Sequence, residues 1–123
     1  MRIAVLDDNL GIGEMLQTGL ELKGYTVVAF DNPSKFLATL MELPTAPTPF
    51  DLLIVDLFLG EGISGVEVIL QVWKVIPDLP VILISAGAYW QIEPARRELP
   101  GVRVLRKPFS LATLLAMVTE LSP

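Results

Sequence analysis

The sequence predicts an α/β fold, a doubly wound parallel sheet of five strands covered by about five helices. Short apolar runs alternate with segments of helical period, which is the pattern of βα units. Three of the runs end on charge: Ile3-Ala4-Val5-Leu6 on Asp7-Asp8, Leu52-Leu53-Ile54-Val55 on Asp56, and Val102-Arg103-Val104-Leu105 on Arg106-Lys107. A carboxylate beside a buried strand is costly unless something neutralises or uses it. Open α/β sheets build their sites at those C-terminal strand ends. A length of 123 residues matches one domain, expected over 1–123.

Residues 2–6 form the first predicted strand. Leu10 to Lys23 follow helical spacing, with Ile12, Leu16 and Leu20 on one face and Gly24 as the stop. Tyr25 to Phe30 read as the second strand. Asn32-Pro33 supplies an N-cap and first-turn pair for a helix over 33–43. Pro44-Thr45-Ala46-Pro47-Thr48-Pro49 is expected to be a stiff surface connection, since the third strand follows directly.

Ser64 is a cap for a helix over 65–76, and Pro77 and Pro80 bracket the turn into Val81-Ile82-Leu83-Ile84. A fourth helix is expected between Ala86 and Pro100, but Pro94 stands in its middle. The sequence therefore predicts a late or irregular fourth helix, starting near Glu93-Pro94 with Tyr89 and Trp90 on the preceding loop. The last strand, near 102–105, leads through Lys107-Pro108-Phe109 to Ser110. That serine caps a final helix with Leu111, Leu114, Leu115 and Val118 at i, i+3, i+4 and i+7. There is no internal repeat and no low-complexity tract.

Composition narrows the function classes. Hydrophobic residues make up 52% and charged residues 19%, so a sizeable core forms and disorder is not expected. A net charge of −5 argues against a non-specific nucleic-acid surface, which needs an excess of Lys and Arg on one face. Without cysteine there is neither a disulfide framework nor a thiolate metal site. The lack of histidine removes the commonest general base and zinc ligand. Asp7-Asp8 interrupts the N-terminal apolar run too early for a secretory signal, and no run approaches the roughly 20 residues needed to cross a bilayer. A soluble cytoplasmic domain is expected, with no membrane partner.

Adjacent strand ends would bring Asp7, Asp8, Asp56, Ser85 and Lys107 to one crevice. Three carboxylates about 5 Å apart repel by roughly 3 kcal/mol per pair at an effective dielectric of 20, which a divalent cation removes. Oxygen-only ligands indicate a hard ion, and an open site suits Mg²⁺ better than a closed cage. A carboxylate can also act as a nucleophile and form an aspartyl phosphate, a transfer that needs positioning and charge neutralisation more than acid–base chemistry. Mg²⁺ and Lys107 could supply the positive charge, and the Ser85 hydroxyl could hold a phosphoryl oxygen.

These residues carry a family resemblance. From Arg2 to about Leu121 the chain resembles the receiver domain of two-component response regulators. The matching pieces are Asp7-Asp8, Asp56 after "DLLIV", Gly65 downstream, Ser85-Ala86 after "VILI", and "KPF" at 107–109. Each is weak alone, but five in order on the right strand ends are specific.

The resemblance implies a single receiver domain with a flavodoxin-like sheet ordered 2-1-3-4-5. It implies that Asp56 accepts phosphate from a histidine kinase or phosphotransfer protein in a phosphorelay. Asp8 would ligate Mg²⁺ directly, Asp7 nearby or through water, and Asp56 and the Phe58 backbone carbonyl would complete the protein ligands. Lys107 would pair with the phosphate, and Ser85 would turn towards it to start the conformational switch. The Lys107-Pro108 bond is similar to one often cis in the family. Such a domain is not an enzyme beyond its own phosphorylation and dephosphorylation. The resemblance implies that it controls an output domain or partner, can pair with a second copy, and does not itself bind nucleic acid.

Three departures qualify the resemblance. Val104 stands where receivers usually carry an aromatic switch residue, three before the site lysine. The Asp56-to-Gly65 spacing is one residue longer than the commonest, so "LFLGEGISG" is expected to bulge over the site. Phe58 and Gly87 occupy positions similar to those that control attack of water on the phospho-aspartate. An apolar Phe58 cannot orient water, so slow autodephosphorylation is expected.

Plainer roles compete for individual residues. Ser85 could be a satisfied hydroxyl at a strand end, and Trp90 and Tyr89 could be interface anchors or could fold onto the domain. Arg96, Arg97, Arg103, Arg106 and Lys107 are either a solvated face or a guide for an acidic partner. A pseudo-receiver, acting as a phosphorylation-independent interaction module, is the alternative function. A haloacid dehalogenase-type phosphatase is disfavoured because Phe58 stands where that chemistry needs an acid, and no P-loop motif occurs.

Overall fold

A computed structural model describes residues 1–42, 50–60 and 62–122. Five parallel strands, β1 (Arg2–Leu6), β2 (Thr26–Phe30), β3 (Leu52–Asp56), β4 (Val81–Ser85) and β5 (Arg103–Arg106), form one sheet in the order β2-β1-β3-β4-β5. The helices are α1 (Leu10–Glu21), α2 (Pro33–Glu42), α3 (Gly65–Val75), α4 (Tyr89–Glu98) and α5 (Leu111–Leu121). The order reverses between β1 and β3, so the crevice of this doubly wound sheet opens at their C-terminal ends.

The strands read as continuous apolar runs because both faces of the sheet are covered. Their residues alternate between two cores. Ala4, Leu6, Leu53, Val55, Val81 and Leu83 face α2, α3 and α4, with Phe36, Leu40, Val68, Val72 and Leu99. Ile3, Val5, Leu52, Ile54, Ile82 and Ile84 face α1 and α5, with Leu16, Leu20, Leu114 and Val118. Burying such a side chain contributes about 1.5–3 kcal/mol, so each strand is pinned from both sides and its register is fixed. Ile3 sits opposite Leu52 and Asp56 opposite Ile84.

The caps act as expected. Asn9, Ser64 and Ser110 accept hydrogen bonds from Ile12, Glu67 and Thr113 N–H groups, and Asn32 Oδ1 accepts from Lys35 N. Gly24 follows α1 at φ +92°, a conformation suited to glycine at a helix end. The Pro44–Pro49 connection lies outside the described residues.

The fourth helix corrects one expectation. It is not delayed to Glu93-Pro94 but begins at Tyr89 and runs through Pro94, so Tyr89 and Trp90 belong to its first turn. An interior proline costs about 3 kcal/mol, having no N–H and crowding the preceding carbonyl. Ile92, Ala95 and Leu99 offset this by burying themselves in the core beside Val81 and Leu83. The start is set instead by Gln91, whose side-chain oxygen accepts from Ala88 N at 2.8 Å. The irregularity is thus a proline inside a short helix.

Candidate functional site

Asp7 follows β1 directly. Its backbone N–H donates to the Phe30 carbonyl at 3.1 Å, and its Oδ1 accepts from Asn9 N at 2.8 Å. Asn9 in turn caps α1, so one turn both starts the helix and orients the carboxylate. Asp7 is only 3% exposed, whereas Asp8 beside it is open to solvent.

Asp56 is the last residue of β3 and is 6% exposed. Its Oδ1 accepts from Phe58 N at 2.9 Å, and its Oδ2 accepts from Lys107 Nζ at 2.6 Å. Lys107 arrives from beyond β5, steered by its own N–H bond to the Ser85 carbonyl at 2.8 Å and followed by a cis peptide to Pro108. Its ammonium reaches Asp7 Oδ2 only at 3.5 Å, an ion pair too long for a good hydrogen bond. Asp7 Oδ2 is consequently buried with no hydrogen-bond partner.

The charges push on one another. Burial, the largest influence, raises the Asp7 carboxyl above its ordinary value; Asp56 and Asp8 add to the rise, while Asn9 N–H and Lys107 oppose it. Burial is also the largest influence on Lys107 and by itself would lower it. The hydrogen bond to Asp56 and the charges of Asp56 and Asp7 together carry the ammonium above its ordinary value.

Carboxylate oxygens of Asp7, Asp8 and Asp56 lie within 4.8 Å of one another. Three acids share one lysine, and one buried oxygen is left without a donor. An all-oxygen set of this kind fits a hard divalent cation such as Mg²⁺.

Ser85 is fully buried at the end of β4, and its hydroxyl accepts from Gly87 N at 2.8 Å. The loop after Asp56 does approach the site: Gly60, at φ +68°, places its α-carbon so that a Cβ would lie 3.6 Å from Asp8 Oδ2. Phe58 is 51% exposed, and its ring packs against Gly87, where a Cβ would meet Phe58 Cε2 at 3.1 Å. Gln91 crowds the same point at 2.9 Å. Its place beside the site had no sequence signal, because only the earlier start of α4 brings it there. Val104 is half-buried and packs on the core beneath α4.

The basic residues do not form one surface. Arg96 faces Glu93 at 3.7 Å, Arg103 pairs with Glu120 at 2.7 Å, and Lys107 turns into the site. Trp90 is 76% exposed and does not fold onto the domain. No helix among the described residues is long and apolar enough to cross a membrane.

Comparison with known proteins agrees with this geometry. The family model described as the response regulator receiver domain matches residues 3–119. The response regulator receiver protein CpdR of Brucella abortus is 29% identical over 120 residues, covering 98% of this chain and 95% of CpdR. The probable transcriptional regulatory protein SilR of Salmonella typhimurium is 31% identical over 98% of the chain but only 50% of SilR. The chain thus spans about half the length of such transcriptional relatives. Among solved structures, the receiver domain of HemR from Leptospira biflexa superposes with a TM-score of 0.82 at 29% identity, covering 98% of this chain and 92% of that one. The response regulator TrrA of Thermotoga maritima, solved in complex with Mg²⁺ and BeF, gives a TM-score of 0.80 at 28% identity over 98% and 97% of the two chains.

Proposed function

The chain belongs to the response regulator receiver domain family, a family of signalling switches rather than conventional enzymes, and we propose that Asp56 is its phosphoacceptor. One observation carries this reading. Asp56 Oδ2 is held by Lys107 Nζ at 2.6 Å within 4.8 Å of the Asp7 and Asp8 carboxylates. A nucleophile, a cation and a metal-ligand set therefore meet at one point.

An Asp56 oxygen attacks the phosphorus of a phosphohistidine on a histidine kinase or phosphotransfer protein. The new O–P bond forms as the P–N bond breaks, and the imidazole leaves with the bonding pair and takes up a proton. Lys107 keeps the carboxylate oriented and then pairs with the phosphoryl oxygens. Phe58 N–H holds the second carboxylate oxygen, fixing the attack angle.

Asp7, Asp8, Asp56 and the Phe58 carbonyl are the proposed Mg²⁺ ligands, and the orphaned Asp7 oxygen supports that assignment. When bound, Mg²⁺ neutralises the clustered carboxylates and the charge on the transferred group. Ser85 turns to donate its O–H to a phosphoryl oxygen, giving up the bond that it accepts from Gly87 N two residues before α4. With no aromatic at Val104, the readout runs through the backbone of the β4–α4 loop. The output is a domain in a longer chain or a separate partner, and the site of action is the cytoplasm.

The test is Mg²⁺-dependent labelling by acetyl phosphate or a phosphodonor kinase. Asp56→Asn should abolish it, and stoichiometric labelling of that variant overturns the assignment. An amide spectrum unchanged by Mg²⁺ with beryllofluoride favours the phosphorylation-independent interaction module.

A further inference from the structure

A groove of about 470 Å³ runs between the start of α3 and α4 and borders the phosphate site at Phe58. Leu57, Phe58, Val66, Pro94 and Ala95 supply its apolar lining, beside Ser64 and Gln91. A second depression of about 430 Å³ shares Leu57, Phe58 and Glu67 and extends the trough along the β3–α3 loop. Phe58 at 51% exposure is an unusually open aromatic for a groove floor.

Two carboxylates line this groove, Glu67 from the first turn of α3 and Glu98 from the last turn of α4. Both are exposed. Among the described residues neither makes an ion pair, unlike Glu93 and Glu120, which hold Arg96 and Arg103. Arg96 and Arg97 in the last turn of α4 already complement its macrodipole, so Glu98 beside them is not needed there. Two exposed acids without ion-pair partners, one on each side of an apolar floor, are complementary to a basic segment with an apolar centre.

We propose that this groove docks a protein segment in which an apolar anchor is set between basic residues. The anchor lies against Phe58, Val66 and Pro94, and the flanking Lys or Arg side chains meet Glu67 and Glu98. Complementary charge fixes the register and favours encounter, while the apolar floor supplies the contact. The floor is tethered to the phosphate site, because Phe58 N donates to Asp56 Oδ1. The docking itself needs no phosphate, so it stands or falls separately from the role of Asp56.

The probe is a fluorescently labelled amidated peptide, acetyl-Lys-Lys-Leu-Leu-Ala-Leu-Lys-Lys, titrated with the unphosphorylated chain at saturating Mg²⁺. Combining Glu67→Lys with Glu98→Lys should weaken binding roughly tenfold and leave acetyl phosphate labelling intact. The same peptide with Glu for every Lys should gain affinity for that variant. Amide shifts on the unmutated chain should centre on Val66 and Ala95.

Equal binding by the unmutated and charge-reversed chains overturns the proposal. Shifts confined to the Asp7, Asp8 and Asp56 region do so too, since they would show mere capture of a cationic peptide by the acidic site. So does concentration-dependent dimerisation that the charge reversal abolishes, which would make a second copy the occupant.

Discussion

Lys107 Nζ lies 2.6 Å from Asp56 Oδ2, although the two residues leave strands β5 and β3 that are separated by β4. The contact is the only hydrogen bond from a cation to the three-carboxylate cluster among the described residues. Lys107→Ala removes it and leaves Asp56, 6% exposed, without its charge partner. Unfolding in urea with EDTA should show a loss of about 1–3 kcal/mol, the cost of an unsatisfied buried polar group. Added Mg²⁺ should recover part of that loss. An unchanged midpoint would show that the pair contributes no net stability.

Asp7 should act in the opposite sense. Its carboxyl is raised above the ordinary 3.8 chiefly by burial, so between 3.8 and the folded value the folded chain holds a proton that the unfolded chain has released. By linkage, this contribution to stability is present below 3.8 and is lost as pH rises through the folded value. Asp7→Asn removes the penalty. In EDTA at neutral pH the variant should be more stable than the parent by about 1–3 kcal/mol, the repulsion expected at this spacing between dielectrics of 80 and 20. The difference should shrink on acidification towards 3.8, and Mg²⁺ should stabilise the parent more than the variant. Thermal melts across pH with and without Mg²⁺ measure all three effects, and an Asn variant less stable at neutral pH contradicts the account.

The sheet and the site carboxylates were legible because strand ends are marked by an abrupt change from apolar to charged residues, as at Val55-Asp56 and Leu6-Asp7. Caps such as Ser64 and Ser110 are equally local signals. The start of α4 was not legible, because Pro94 is a strong local breaker and only the burial of Ile92, Ala95 and Leu99 against a distant strand overrides it. The same packing hid Gln91, and of the arginines Arg103 reaches Glu120 on α5 while Arg96 pairs with Glu93 inside α4. What Phe58 does was half legible. Its apolar character was plain, but its contact with Gly87 depends on two loops meeting.

Gly65 starts α3 with its N–H bonded to the Leu57 carbonyl at 2.8 Å, so that the helix sits directly on the strand end bearing Asp56. A Cβ at this position collides with the Asp56 carbonyl oxygen and crowds Leu57 Cα at 3.0 Å. Both obstacles are backbone and cannot rotate away. Gly65→Ala should therefore destabilise the fold by about 1–3 kcal/mol, as overpacking does. Gly13→Ala, where a Cβ meets nothing within 4 Å, should not lose stability and can gain it through helix propensity. Equal destabilisation of the two by denaturant titration would refute the packing argument.

Phe58 sets the lifetime of the phosphorylated state in the proposed mechanism. Its ring packs on Gly87 beside the Ser85 hydroxyl, and it carries no group that can hold a water in line with the Asp56–phosphate bond. Phe58→Asn keeps the backbone N–H that holds Asp56 Oδ1 and adds an amide that can orient the attacking water. One such hydrogen bond, at about 1 kcal/mol, corresponds to roughly fivefold in rate. The phosphorylated variant should lose label faster by that factor in the presence of Mg²⁺, with unchanged stoichiometry of labelling. Phe58→Leu, apolar but smaller, separates orientation from access: if it speeds hydrolysis as much as Asn, the ring acts as a cover. If neither variant loses phosphate faster than the parent, Phe58 does not govern the lifetime.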